Sequence, residues 1–199
     1  MPPRPSSSRG EPGKPHAEVV RPARHGGVTR TFHWLTAVGV AVMVPAGIAM
    51  TSEPLAGAAD PLYVLHKGLG TILLVVIVAR AVWGASHRAP PLPPGVPVVQ
   101  GRMMLRTHVT LYALLLLQVL SGYVRTVGDG YPIELLDMLG APTLLPPMPR
   151  AAAVALVVHQ VTAYALVGLI SVHVGVAVHD RWIGGTGIWS RMWPPWSRQ

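Results

Sequence analysis

Four stretches of this chain, residues 31–51, 62–84, 107–124 and 151–179, are long, apolar and nearly free of charge. A helix rises about 1.5 Å per residue, so roughly 20 residues cross the ~30 Å hydrocarbon core of a bilayer. Inside that core every backbone N–H and C=O must be satisfied within the protein, which leaves helices as the solution for segments of this length. The four runs therefore predict an all-α membrane protein, a bundle of four transmembrane helices. Composition agrees: half of the 199 residues are hydrophobic and 12% are charged, too few to clothe a soluble globule. Pro45, inside the first run, is expected to kink its helix or release a carbonyl to the neighbours.

The links between the runs differ in charge. Residues 1–30 hold Arg4, Arg9, Lys14, Arg21, Arg24 and Arg30, and the second link holds Arg88 and Arg102, with Arg80 and Arg106 at its edges. The first link carries Glu53 and Asp60, and the third carries Asp129, Glu134 and Asp137 against Arg125 and Arg150. Basic flanks stay on the cytoplasmic side, so both termini are expected in the cytoplasm. Residues 1–30, rich in Pro, Ser, Gly and Arg, are expected to form a disordered basic arm. Residues 31–185 form the transmembrane domain and 186–199 a short cytoplasmic tail. The Ala89–Pro94 stretch reads as a stiff spacer, and a short interfacial helix is expected around residues 133–139. The net charge of +8 meets anionic lipid headgroups rather than nucleic acid, since no basic stripe interleaved with aromatics is present.

Four histidines, His33, His66, His159 and His173, fall inside these apolar runs. His159 and His173 are fourteen residues apart on one run, a step of about 21 Å that returns to within roughly 40° of the same face. In the expected topology His33 and His173 share an inner level, and His66 and His159 an outer one. Ionisable side chains at membrane depth mark pathways or cofactors, and two imidazoles facing each other at each of two levels suit two bis-histidine haems. The chain has no cysteine, which excludes thiolate iron–sulfur clusters and covalent c-type haem, so any haem is held non-covalently. A zinc or proton-transport site would recruit Asp or Glu, yet every acid lies in a loop, tail or span edge. The blander alternative is a set of hydrogen-bonded histidines joining helices.

The fourteen-residue step also runs from His33 to Gly47, from His108 to Gly122 and from His66 to Arg80. Gly47 and Gly122 would then clear space for a macrocycle at the outer level, although glycine equally serves close helix packing. Gly39, about 80° off the Gly47 face, is expected to be neutral to this role. Arg80 would meet a haem propionate at the inner level. His108 faces the same inner level as a rival ligand, as a partner for a propionate or a quinone oxygen, or as a packing residue. Lys67, beside His66, would draw an anion toward the outer haem edge, pair with a propionate or anchor the interface.

Several short motifs carry a resemblance. They are Arg30-Thr31-Phe32-His33-Trp34-Leu35, Leu65-His66-Lys67-Gly68-Leu69-Gly70, His108 with Leu111-Tyr112, and Ser121-Gly122-Tyr123. His159, the Leu169–His173 segment, His179 and Ser190-Arg191-Met192-Trp193-Pro194 complete the series. In order and spacing these resemble the prokaryotic cytochrome b561 family from Arg30 to about Pro194. The resemblance implies a four-helix bundle with two b-type haems ligated by His33, His66, His159 and His173. The tail departs from the family pattern, with His179-Asp180 where many relatives show a His-His pair. The expected function is transfer of single electrons between the quinone pool, ubiquinone included, and a redox partner, as part of respiratory-type electron transport. Two alternatives within the resemblance are a superoxide:quinone oxidoreductase and the cytochrome b subunit of a hydrogenase or dehydrogenase complex.

Overall fold

The computed structural model describes residues 23–93 and 95–193. Helix α1 spans Gly27–Ala49, α2 Ala59–Ser86, α3 Val98–Gly128, α4 Glu134–Met138 and α5 Pro149–His179. A 3-10 segment, Glu53–Ala58, precedes α2; a π turn, Asp180–Gly184, continues α5; and a second 3-10 turn lies at Trp189–Arg191. Four of these units, Gly27–Ala49, Glu53–Ser86, Val98–Gly128 and Pro149–Gly184, are long and apolar enough to cross a membrane. The short α4 falls within residues 133–139, where the sequence suggested a short helix. The first helix starts at Gly27, four residues ahead of the expected Thr31, and runs unbroken through Pro45. The basic arm lies outside the described residues as far as residue 22, and so do residues 194–199 of the tail.

The helices pack mainly as two pairs, α1 with α2 and α3 with α5, with α2 against α3 joining them. Most of the outward surface is apolar and exposed, as a lipid-facing bundle requires. Both described ends of the chain lie at one end of the bundle, called the near end below; the 50–58 and 129–148 links lie at the far end.

The fourteen-residue step has a midpoint, and the midpoints form the core. Seven residues turn about 700° and rise about 10.5 Å, returning almost to the same face. The steps 33–40–47, 66–73–80, 108–115–122 and 159–166–173 place Val40, Leu73, Leu115 and Leu166 halfway along each helix. Leu73, Leu115 and Leu166, with Ile77, make the buried cluster, and Val40, Met43, Leu111 and Ile170 pack around it. The bundle is thus three-tiered, with polar tiers near and far and a hydrocarbon layer between them.

Gly39 belongs to this layer. A Cβ there would stand 2.5 Å from Leu73 Cδ2, whereas Gly168 and Gly175 have nothing within 4 Å. Gly39 is where α1 approaches α2 closely, a common use of glycine between membrane helices. Gly39→Leu should therefore cost about 1–3 kcal/mol of stability through overpacking, while Gly168→Leu should be close to neutral. Thermal unfolding in detergent checks this, and equal midpoints for the two variants would refute it.

Candidate functional site

Each polar tier is built by all four long helices. At the near tier His33 of α1 faces His173 of α5 with ring centroids 6.4 Å apart and planes inclined by 60°. At the far tier His66 of α2 faces His159 of α5 at 6.2 Å and 73°. A metal–imidazole bond is about 2.0–2.1 Å long and the ring centre lies about 1.1 Å behind the nitrogen, so two imidazoles facing one metal have centroids about 6.3 Å apart. Both pairs have this separation. His108 edges onto His173 at 5.3 Å, short of that span, and its Nδ1 lies 2.7 Å from the Met104 carbonyl. The geometry therefore sets His33, rather than His108, opposite His173.

At the far tier the ring nitrogens are sorted by their neighbours. His159 Nδ1 donates to the Gln118 carbonyl at 2.9 Å, which leaves Nε2 as the unprotonated nitrogen, met by the Gln118 side-chain amide at 3.0 Å. The Ser121 hydroxyl is 3.3 Å from Nδ1, and the Thr162 hydroxyl donates to Gln118 Oε1. His66 Nδ1 is buried without a hydrogen bond, although the Met43 carbonyl stands beside the ring. Gly47 and Gly122 sit on this tier against these rings. A Cβ on Gly47 would come within 3.0 Å of His66 Cε1, and one on Gly122 within 3.0 Å of His159 Cε1.

The near tier is more polar. Arg80 Nη2 is 3.2 Å from His33 Nδ1, and its guanidinium lies over the Tyr112 ring at 4.9 Å. Lys67, next to His66 in sequence, turns away to the loop. Its ammonium pairs with Glu134 at 2.6 Å and donates to the Pro132 carbonyl at 2.8 Å, fastening α4 to the start of α2. That hydrogen bond from Lys67 holds the Glu134 carboxyl below its ordinary range.

These features fit a metal held in a flat macrocycle at each tier. The donors come as facing imidazole pairs without a carboxylate, the far rings lie against glycines, and one buried ring nitrogen lacks a partner. Among the described residues no three of His, Asp and Glu converge to hold a bare metal ion.

The tail is folded over the near tier. The buried Asp180 carboxylate accepts from the Thr186 and Trp189 backbone N–H groups and the Thr186 hydroxyl, turning the chain back after α5. Buried Arg191 donates to the Pro90 and Pro91 carbonyls at 2.6 and 2.8 Å, which ties the proline spacer into the same cap. Trp34, in edge contact with His33, donates to the Met192 carbonyl at 3.1 Å and meets Trp193. Sequence reasoning missed Gln118 and Thr162, although an amide in the middle of a membrane helix was a usable signal. It also missed the cap, because a tail closed by one aspartate has no periodicity to read.

His25 is part of this cap, with its backbone N–H on the Arg191 carbonyl. Burial, reinforced by the positive charge of Arg191, pushes its imidazole down to about 4. Neutral His25 favours the docked cap, so that stabilisation is fully present above pH about 6.5 and is lost as the pH falls through about 4. Emission from the Trp34, Trp189 and Trp193 cluster should change over that window in the native protein and not in His25→Gln. A window that persists in the variant would assign the change elsewhere.

Comparison with known proteins meets this geometry. The chain matches the family described as prokaryotic cytochrome b561 over residues 24–195. It is 31% identical over 174 residues to cytochrome b561 homolog 2 of Escherichia coli (strain K12), covering 86% of this chain and 92% of that protein. Four membrane-length helices with imidazole pairs at two depths, and a family match over nearly the whole described chain, lead to one assignment: the chain belongs to the prokaryotic cytochrome b561 family, a multi-pass membrane protein of the haem-b, electron-transferring kind.

Proposed function

We propose that the chain binds two b-type haems, one between His33 and His173 and the other between His66 and His159, and relays single electrons between the quinone pool and a redox partner at one membrane face. The observation that carries this reading is the occurrence of two facing imidazole pairs, each at a separation suited to one metal, at opposite ends of an apolar layer. When bound, haem iron would supply a one-electron couple held by the imidazoles of each pair, and ligation by two imidazoles favours outer-sphere transfer over small-ligand chemistry. The chain's own residues do the rest. They hold the two sites about 21 Å apart along α5, one fourteen-residue step, and exclude water between them with Leu73, Leu115 and Leu166.

Arg80, beside His33, would pair with a propionate at the near tier. His108, with its Nδ1–H given to Met104, offers an accepting Nε2, which suits a quinol hydroxyl better than a carboxylate. Gly47 and Gly122 give the far ligands room. The proposed topology puts the near end, with the arm to residue 30 and the tail from 186, on the cytoplasmic side of a bacterial inner membrane. Arg24, Arg30, Arg88, Arg181 and Arg191 at that end support this, against Glu53, Asp60, Glu134 and Asp137 at the other. Superoxide oxidation is the weaker alternative, because it asks Lys67 to attract an anion while Glu134 already holds its ammonium.

Purified protein should contain two acid-extractable haem b per chain. His33→Ala and His173→Ala should leave one common residual spectrum, and His66→Ala and His159→Ala another. A single haem, or loss of a whole haem in His108→Ala with one of the four ligands dispensable, would overturn the pairing. Reduced-minus-oxidised spectra taken with quinol, with superoxide and with a co-expressed dehydrogenase then separate the relay from its alternatives.

A further inference from the structure

The face of α5 turned away from its imidazoles carries polar side chains into the lipid. Gln160, Tyr164, Gly168, Ser171 and Gly175 fall within about 80° of one another around the helix, and all are exposed. Leu166 of the buried layer is two residues from Tyr164, about 200° of rotation, so this strip points out of the bundle. It also lies deep. With Leu166 at mid-depth, Tyr164 is about 3 Å and Gln160 about 9 Å from the middle of a ~30 Å hydrocarbon core.

Hydrocarbon offers an amide or a phenol no hydrogen bond, which makes both groups costly there. The Ser171 hydroxyl is taken up by its own helix, donating to the Val167 carbonyl at 2.8 Å. Among the described residues the Gln160 amide and the Tyr164 hydroxyl meet no hydrogen-bond partner, although Tyr164 is 80% exposed. Tyr164 lies about 12 Å from the nearer edge of the core, too deep for its hydroxyl to reach the headgroups. At the same depth the other long helices offer lipid Val38, Val42, Ile72, Val75 and Leu117.

We propose that this strip pairs with the same strip of a second copy of the chain, making a parallel homodimer joined along α5. Two copies inserted in one orientation close on each other about a two-fold axis along the membrane normal, which sets residues near the axis against their own counterparts. Self-pairing suits these residues. An amide carries both donors and an acceptor, so two Gln160 side chains satisfy each other. Side chains on a helix lean toward its N-terminus, which carries the Tyr164 hydroxyl toward the level of Gln160 and leaves Gly168 uncovered. At Gly168 and Gly175 an added Cβ would meet nothing of its own chain within 4 Å, so the two backbones can approach there. Close backbones and hydrogen bonds across the interface hold membrane helices together, because lipid supplies no hydrophobic drive between them. His159 and His173 face the other way, so pairing leaves both polar tiers undisturbed.

The chain has no cysteine, so one introduced thiol reports on one position. Full-length protein carrying Ser171→Cys or Gly175→Cys is reconstituted in phosphatidylethanolamine–phosphatidylglycerol vesicles at a low protein-to-lipid ratio and oxidised. Both variants should form a disulfide-linked pair, and Val75→Cys, which faces lipid from α2, should not. Adding Gln160→Leu or Tyr164→Phe to Ser171→Cys should lower the cross-linked fraction several-fold. Gly168→Leu should do the same while leaving the unfolding of the single bundle in dilute detergent unchanged, since that position touches nothing of its own chain. Unfolding in detergent also shows that each variant is folded, so a lost cross-link is lost pairing. Cross-linking at Val75 as strong as at Ser171, none at either α5 position, or a cross-link indifferent to both Gln160→Leu and Tyr164→Phe overturns the proposal.

Discussion

An imidazole placed inside a bilayer has to be satisfied by something other than water, and the rest of this bundle follows from meeting that demand at two depths. The far pair shows how. His159 gives its Nδ1–H to the Gln118 carbonyl, the Gln118 amide is in turn oriented by Thr162, and the backbone comes close enough only because position 122 has no side chain. One polar ring thus fixes a glycine, an amide and a hydroxyl on two neighbouring helices. A polar network of this kind is costly when half complete, which is why its members occur together.

The periodicity of the helix carries the demand from one depth to the other. A step of fourteen residues spans the two tiers, and its half-step of seven returns to nearly the same face, so the residues between the polar tiers are fixed as core positions. Leu73, Leu115 and Leu166 fill them, closing the space between two polar sites with hydrocarbon. That layer keeps water out of the path between the tiers, and Gly39 lets α1 and α2 close around it.

Much of this was legible in the sequence because membrane helices are read from length and register. The four spans, the two histidine levels and the placing of Gly47, Gly122 and Arg80 all follow from counting along apolar runs. What counting does not give is direction off the helix axis. Gly39 was read only as lying off the Gly47 face, yet it points into Leu73; Lys67 was read as an anion-drawing, propionate-pairing or interface residue beside His66, and it reaches the loop and Glu134. The tail was opaque for another reason. Its fold depends on a few hydrogen bonds from Asp180 and Arg191 to backbone groups far away in sequence, and such contacts leave no periodic trace.

The tail also explains how the near tier tolerates more charge than the far one. An arginine at membrane depth is expensive unless its donors are taken up, and at this end of the bundle protein backbone rather than lipid supplies the acceptors. Arg191 is enclosed by the proline spacer, whose carbonyls have no competing donors from their own ring nitrogens. Trp34 and Trp193 close the remaining gap above His33. The cap therefore closes the near end with protein, so that Trp34 covers His33 and the donors of Arg191 are taken up by backbone rather than by water.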